Sequence, residues 1–358
     1  MERINDSQSK AGFNSKSVLS IVGRMWSLLF LIVLVVVFSS RGVNLFALKS
    51  LQNILLASIM VMLVGIGETF VIISGGIDIS PMYVVGLSGA FGAILMRDLH
   101  AAGHADGIVV LIGFIATLVI SLLPGLVNGL LITKLKVPPF IVTIGTMSIA
   151  EGAVLMLTRG QHISGLPALA GSCGNSFLLT YVSGKGFTFF SQPALEAGKA
   201  IGIIPIPVLI LALVALAMAL LLARTTFGQH VYAIGGNVNA ARLSGIPVDR
   251  VIVKVYIIAG LMYGFAGMLY VMRFCSASPT AGEPLLMSSI GAVCIGGTSL
   301  SGGIGTVGGT VIGALIIAVL QTGLVLMRVS PFWQYIATGC VIIVAVFFDQ
   351  FKSKFLKE

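Results

Sequence analysis

The sequence predicts an all-α, polytopic integral membrane protein with about ten transmembrane helices, some of them broken. Three observations carry this expectation. Of the 358 residues, 57% are hydrophobic and 9% charged, where a soluble domain has about 25% charged. Mean hydropathy is +1.08, and charged surface is too scarce to cover a water-facing core of that apolar content. The 44 glycines fit lipid-embedded helices, which use small residues for close approach and tolerate breaks where backbone lines a cavity. A span takes about 20 residues to cross about 30 Å of hydrocarbon, so the length accommodates roughly ten crossings.

Residues 1–24, MERINDSQSKAGFNSKSVLSIVGR, form a polar, basic tail. No small-residue cleavage site follows it, so a retained first span is expected over a cleaved signal peptide. Ten apolar segments then mark out a single membrane domain over 25–350: 25–40, 51–74, 82–97, 108–133, 139–157, 205–223, 251–272, 285–297, 304–327 and 332–348. A short basic tail, 351–358, ends the chain. With the N-terminus inside, the cytoplasmic connectors are 75–81, 134–138, 224–250 and 298–303, together with both tails. Thirteen of the 21 Lys and Arg residues then lie inside, which favours an N-in, C-in orientation. The net charge of +9 reads as this sidedness, and nucleic acid is not an expected partner. Lipid is.

Two connectors exceed turn length. Residues 158–204, outside, are rich in Gly, Ser and Pro; a lid, a docking surface and a plain loop are all open readings. Residues 224–250, RTTFGQHVYAIGGNVNAARLSGIPVDR, lie inside. There the run NAARLSG has helix-forming composition and is ended by Gly245 and Pro247. A short amphipathic helix at the cytoplasmic face is expected, presenting Asn239 and Arg242 to a partner.

Two apolar segments, 82–97 and 285–297, are short for full spans, and each adjoins a glycine break, GGIDIS at 75–80 and GGTSLS at 296–301. Paired short or interrupted segments point to a transporter's substrate path. Tight turns between tilted helices are the competing reading.

Several chemistries lack their residues. No GxxxxGK[ST] occurs, so the cradle and lysine that hold nucleotide phosphates are missing. The four cysteines, Cys173, Cys275, Cys294 and Cys340, show no CxxC spacing, and the four histidines no HExxH. Neither a metal nor a redox site is supported, and no cofactor is expected on this chain. An intramembrane enzyme would lack its catalytic constellation.

Glu68 and Glu151 fall inside apolar segments, where an ionised carboxylate is costly unless it is paired or faces water. Each is a candidate for ion coupling, which would suit a secondary transporter or channel; a structural hydrogen bond is the plainer role. Asp78 follows two glycines and precedes Ser80 and Pro81. An Asx turn or N-cap is the plain reading and contact with a hydroxylated substrate the sharper one. Asn53, Phe140, Thr143, Thr146, Tyr263, Trp333 and Gln334, near segment ends, could contact a sugar. Trp333 in SPFWQY reads first as an interfacial anchor.

Taken together, ISGGIDIS (73–80), VPPFIVTIGTM (137–147), TTFGQHVYAIGGNVNAARLSGIPV (225–248), GFAGMLY (264–270), GGTSLSGGIGTVGGTVIGA (296–314) and SPFWQYI (330–336) resemble the membrane permease subunits of ribose, xylose, galactose and arabinose type ABC importers. They follow the family's order from about residue 50 to the C-terminus. The resemblance implies a bacterial inner-membrane permease that moves a monosaccharide, pentose or hexose, by alternating access. It implies three partners: a second permease copy or a related one, an ABC ATPase carrying ATP and Mg, and an extracytoplasmic sugar-binding protein.

The run Asn239 to Gly245 is similar to the AAxxxG coupling signature, with Asn where Glu often stands. It marks Gly236, Asn237, Asn239, Ala240, Ala241, Arg242 and Gly245 as the ATPase-coupling residues. Asn53, Glu68, Asp78, Ser80, Phe140, Thr146 and Ser299 are the substrate-path candidates. Two departures stand out. Leu286 and Ser288 occupy the acidic positions of the family's ELDAIAA, and Pro81-Met82 replaces the usual Val-Gly.

Overall fold

A computed structural model describes residues 15–189 and 200–355. Ten apolar helices occupy the ten apolar segments: α1 (Ser15–Ser40), α2 (Leu48–Ile73), α3 (Pro81–Ala101), α4 (Asp106–Lys134), α5 (Pro139–Thr158), α7 (Ile206–Arg224), α10 (Val248–Phe274), α11 (Glu283–Ile295), α12 (Val307–Leu326) and α13 (Pro331–Phe355). Among the described residues, seven of them are long and apolar enough to cross a membrane, and the chain is a polytopic, all-α membrane protein. Between them lie α6 (Ala168–Asn175), α8 (Thr226–Gly236), α9 (Val238–Leu243) and a small sheet of β1 (Phe177–Val182), β2 (Gly186–Phe189) and β3 (Ala200–Pro205).

Burial sorts the helices. In α2, 83% of the most apolar stretch is buried, against 17% in α7 and 28% in α4 and α5. The centre of the bundle is α2 with α10, while α4, α5 and α7 turn apolar faces outward, as lipid requires. α10 packs most extensively on α4, and the sequence shows why. Gly125 on α4 meets Gly260 on α10, while Gly129 lies against Val253 and Gly264 against Ser121. A Cβ at Gly125 would lie 2.3 Å from Tyr256 O, and one at Gly260 2.6 Å from Ser121 O. The two backbones come close because glycine at these positions leaves no Cβ between them.

Two sequence expectations are revised. The 82–97 segment is not a short helix: α3 has 21 residues, because Arg97, Asp98 and His100 continue it past its apolar end. Arg97 pairs with Asp98 at 2.8 Å, and His100 Nδ1 lies 2.9 Å from Asp106 Oδ1 at the start of α4. Of these two segments, α11, with 13 residues, is the short one. At 1.5 Å per residue it reaches about 20 Å, less than the hydrocarbon layer.

The long 158–204 connector is also no plain loop in its described part. It holds α6 and an antiparallel sheet in the order β2-β1-β3, with Tyr181 opposite both Phe187 and Ile201. Gln52 Nε2 donates to Gly202 O at 2.6 Å and tethers β3 to the start of α2. Ile163 and Ala277 exchange backbone hydrogen bonds at 2.9 Å. The sheet thereby caps the end of the bundle opposite residues 224–250.

Candidate transport path and coupling site

The first glycine break begins where Gly75 takes φ +84°, a conformation glycine adopts without strain. Asp78 Oδ1 accepts from the Ser80 amide at 2.8 Å, closing the expected Asx turn ahead of Pro81 at the start of α3. The Asp78 carboxyl has a second neighbour: Tyr263 Oη lies 3.1 Å from Asp78 Oδ2 and 2.8 Å from Glu68 Oε1. Ser80 Oγ accepts from Asn128 Nδ2 at 3.3 Å, and Thr146 Oγ1 donates to Asn128 Oδ1. Thr143 Oγ1 also reaches Ile77 O at 3.4 Å. A continuous polar seam therefore runs through α10, α2, the break, α4 and α5. Glu68, Asp78, Ser80, Asn128 and Thr146 along it are all buried. Buried polar groups demand such mutual satisfaction, and the seam fixes the break in place.

The second break is built differently. Gly297, Gly302 and Gly303 all have positive φ, and the turn closes on itself through Ser299 N to Ile304 O at 2.9 Å and Gly302 N to Ser299 O at 3.0 Å. Thr306 then caps α12 by accepting from Gly309 N at 3.0 Å. The two breaks meet where Gly303 N donates to Ile73 O at 2.9 Å. Against this junction sits the C-terminal end of α8. A Cβ on Gly235 would lie 1.7 Å from Ile73 O and 2.5 Å from Gly303 N. Tyr232 Oη donates to Gly305 O at 2.7 Å, and partial burial raises its pKa, so it remains a neutral donor.

From α8 the chain enters α9. Asn237 caps it, its Oδ1 accepting from the Asn239 and Ala240 amides at 3.0 Å, and Gly245 at φ +82° ends the turn that follows. Ala241 is the buried member of α9, while Asn239, Ala240 and Arg242 are exposed. So is the apolar Leu243, at 90%. Arg242 lies 3.6 Å from Asp249, both exposed, a pair of little energetic weight. The expected short helix is present, and it is bolted through Gly235 to both breaks.

A third arrangement joins two helix starts. A Cβ on Gly282 would lie 2.4 Å from Pro81 O, so the N-termini of α3 and α11 abut. Tyr83 Oη, in the first turn of α3, donates to Glu283 Oε1 at 2.9 Å. The Glu151 carboxylate of α5 faces the same hydroxyl. Glu151 and Glu283 are partly exposed.

Of the sequence candidates, Glu68, Asp78, Ser80 and Thr146 come together in the seam. Ser299 is half-buried in the second break, whereas Asn53 and Phe140 are exposed; Phe140 meets the seam only through its carbonyl, which accepts from Thr143 Oγ1 at 3.3 Å. Trp333 is exposed, and Gln334 bonds Val329 O at 2.9 Å. Missed were Asn128, Tyr83, Glu283, Tyr232, Tyr256 and Gly235. Asn128 is a lone amide inside an apolar 29-residue helix, a signal of the kind that singled out Glu68; the other five carry no local sign. No group of three or more His, Cys, Asp and Glu able to hold a metal occurs among the described residues.

A cavity of about 550 Å³ opens beside the junction, lined by Ser74, Gly75, Gly76, Gly235, Asn237 and Tyr256 among others. It lies between the first break and the segment leading into α9.

Comparison with known proteins bears on the whole chain. Residues 50–346 match the family described as Branched-chain amino acid transport system / permease component. Ribose import permease protein RbsC of Bacillus subtilis is 37% identical over 352 residues, 98% of this chain and 99% of the relative. Ribose import permease protein RbsC of Escherichia coli is 36% identical, covering 91% of this chain and 94% of its own. Xylose transport system permease protein XylH of Escherichia coli is 34% identical, covering 84% of each. No solved structure matches the chain. A family match over most of the chain, with relatives similar along nearly their whole length, shows that this protein belongs to the branched-chain amino acid transport system / permease component family.

Proposed function

We propose that this chain is the permease subunit of an ABC importer that carries a monosaccharide, pentose or hexose, across the cytoplasmic membrane of a bacterium. The observation that carries the reading is the end-to-end similarity to ribose import permeases. ATP and Mg are bound by a separate ATPase, a soluble receptor delivers the sugar, and a second permease copy completes the path.

The geometry supplies the parts that such a machine needs. The α9 helix, with Leu243 and Arg242 exposed, is the surface for the ATPase. α8 transmits its displacement to both glycine breaks through Gly235, Tyr232 and Gly303. The first break begins the helix that carries Tyr83 and the second ends the one that carries Glu283, with Glu151 of α5 facing Tyr83. Carboxylates and a phenol can exchange hydrogen bonds with the hydroxyls of a neutral sugar. Coupling of this kind converts nucleotide-driven closure into alternating access.

The test is uptake into proteoliposomes holding this chain, its ATPase and its receptor, with ribose, xylose and galactose offered separately. ATP-dependent accumulation of one of them is expected. Accumulation that follows a proton gradient and ignores ATP would overturn the reading.

A further inference from the structure

The seam contains two fully buried carboxyls, Glu68 and Asp78, and no ion pair joins either to a Lys, Arg or His among the described residues. From α10 the pair is faced by Tyr263 and Tyr256, and from the break by Ser80. α4 and α5 reach it through the neutral Asn128, Thr146 and Thr143. α11 and α12 present the neutral Ser289 and Thr310 to α2, while Tyr232 of α8 turns to Gly305. Two ionised carboxylates in such surroundings would be uncompensated.

Hydrogen counting leads to the same place. Tyr263 Oη contacts a carboxyl oxygen of each acid, at 2.8 and 3.1 Å, yet a phenol carries one proton. For the two contacts to be separate two-centre hydrogen bonds, a carboxyl must donate one of them. Two further groups are buried without a partner, Glu68 Oε2 and the Tyr256 hydroxyl. Tyr256 lies two helical turns before Tyr263 on the same face of α10. It also lines the 550 Å³ cavity.

We propose that Glu68 and Asp78 form a proton-binding site that keeps one proton between them through Tyr263, with the Tyr256 hydroxyl as its connection to the cavity. A proton from cavity water adds to a carboxylate oxygen. On release it returns to water, Tyr256 accepting one proton on its oxygen as it gives up its own, so the phenol is unchanged. The site is independent of which solute the protein carries.

Infrared spectroscopy on the wild-type protein in lipid tests this. A carbonyl band of a buried protonated carboxylic acid is expected at neutral pH, and it should vanish in Glu68→Gln or in Asp78→Asn. Absence of the band in the wild type overturns the proposal, and needs no variant to fold. In Tyr256→Phe the band should persist, with its shift in D2O slowed severalfold. Unslowed exchange would overturn the role of Tyr256.

Discussion

The amide of Gly303 donates to the carbonyl of Ile73 at 2.9 Å, joining two glycine breaks that lie 230 positions apart. The last carbonyls of a helix have no partner within it, and here the second break supplies the donor that the first lacks. Neither break can move without stretching this bond, and Gly235 of α8 is pressed against both of its atoms.

Gly235→Ala should therefore disable the junction. Its Cβ would fall 1.7 Å from Ile73 O, a clash with backbone that cannot swing away. Overpacking of this kind costs about 1–3 kcal/mol. Sugar uptake should collapse while the protein still inserts in the membrane. The neighbouring Gly236→Ala meets nothing within 4 Å and should keep its melting temperature. Paired thermal melts and uptake assays separate the two.

Tyr263→Phe keeps the ring and removes only the hydroxyl between Glu68 and Asp78. Loss of a partner to a buried carboxyl costs about 1–3 kcal/mol, so a clear drop in melting temperature in detergent is expected. Tyr256→Phe is the contrast: its hydroxyl is buried and unpartnered, and deleting it should leave stability unchanged or raised. Equal losses in both variants would contradict the described hydrogen bonding.

How much of this was legible beforehand depends on sequence distance. The ten apolar segments follow from hydropathy, and the Asx turn at Asp78 follows from residues two positions apart. The short helix α9 could be read from NAARLSG and its glycine stop. Glu68 and Tyr263, however, are 195 residues apart, and no periodicity joins them. The same holds for Gly235 against Ile73. The strands escaped notice because they are four to six residues long within a Gly- and Ser-rich connector, too short for a pattern. α3 looked short because its last turn is charged, although Arg97 and His100 find partners that let the helix continue.

The link between α4 and α5 should prove cooperative. Asn128→Ala strands Ser80 Oγ and Thr146 Oγ1, while Thr146→Val removes one hydrogen bond at nearly constant shape. Single losses of about 1–3 and about 1 kcal/mol are expected. The double variant should lose less than their sum, with a coupling of about 0.5–3 kcal/mol as for contacting residues. A double-mutant cycle on thermal stability decides it, and strict additivity would mean that the two side chains do not share the bond.

The proposed coupling surface on α9 yields the last prediction. α9 is six residues long, so its order rests on its ends more than on internal bonds. Asn237→Ala removes the acceptor for two amides and should cost about 1 kcal/mol of local helix stability. Leu243 makes no use of its side chain in the chain itself, being 90% exposed. Its apolar surface gains free energy only when a partner covers it. Leu243→Asp should therefore leave the melting temperature of the isolated permease unchanged and abolish co-purification of the ATPase. Arg242→Ala removes only an exposed 3.6 Å pair with Asp249, and should leave the melting temperature unchanged as well. If Leu243→Asp permease still retains its ATPase through purification, α9 is not the docking helix, and the connection from Gly235 to the breaks would need another input.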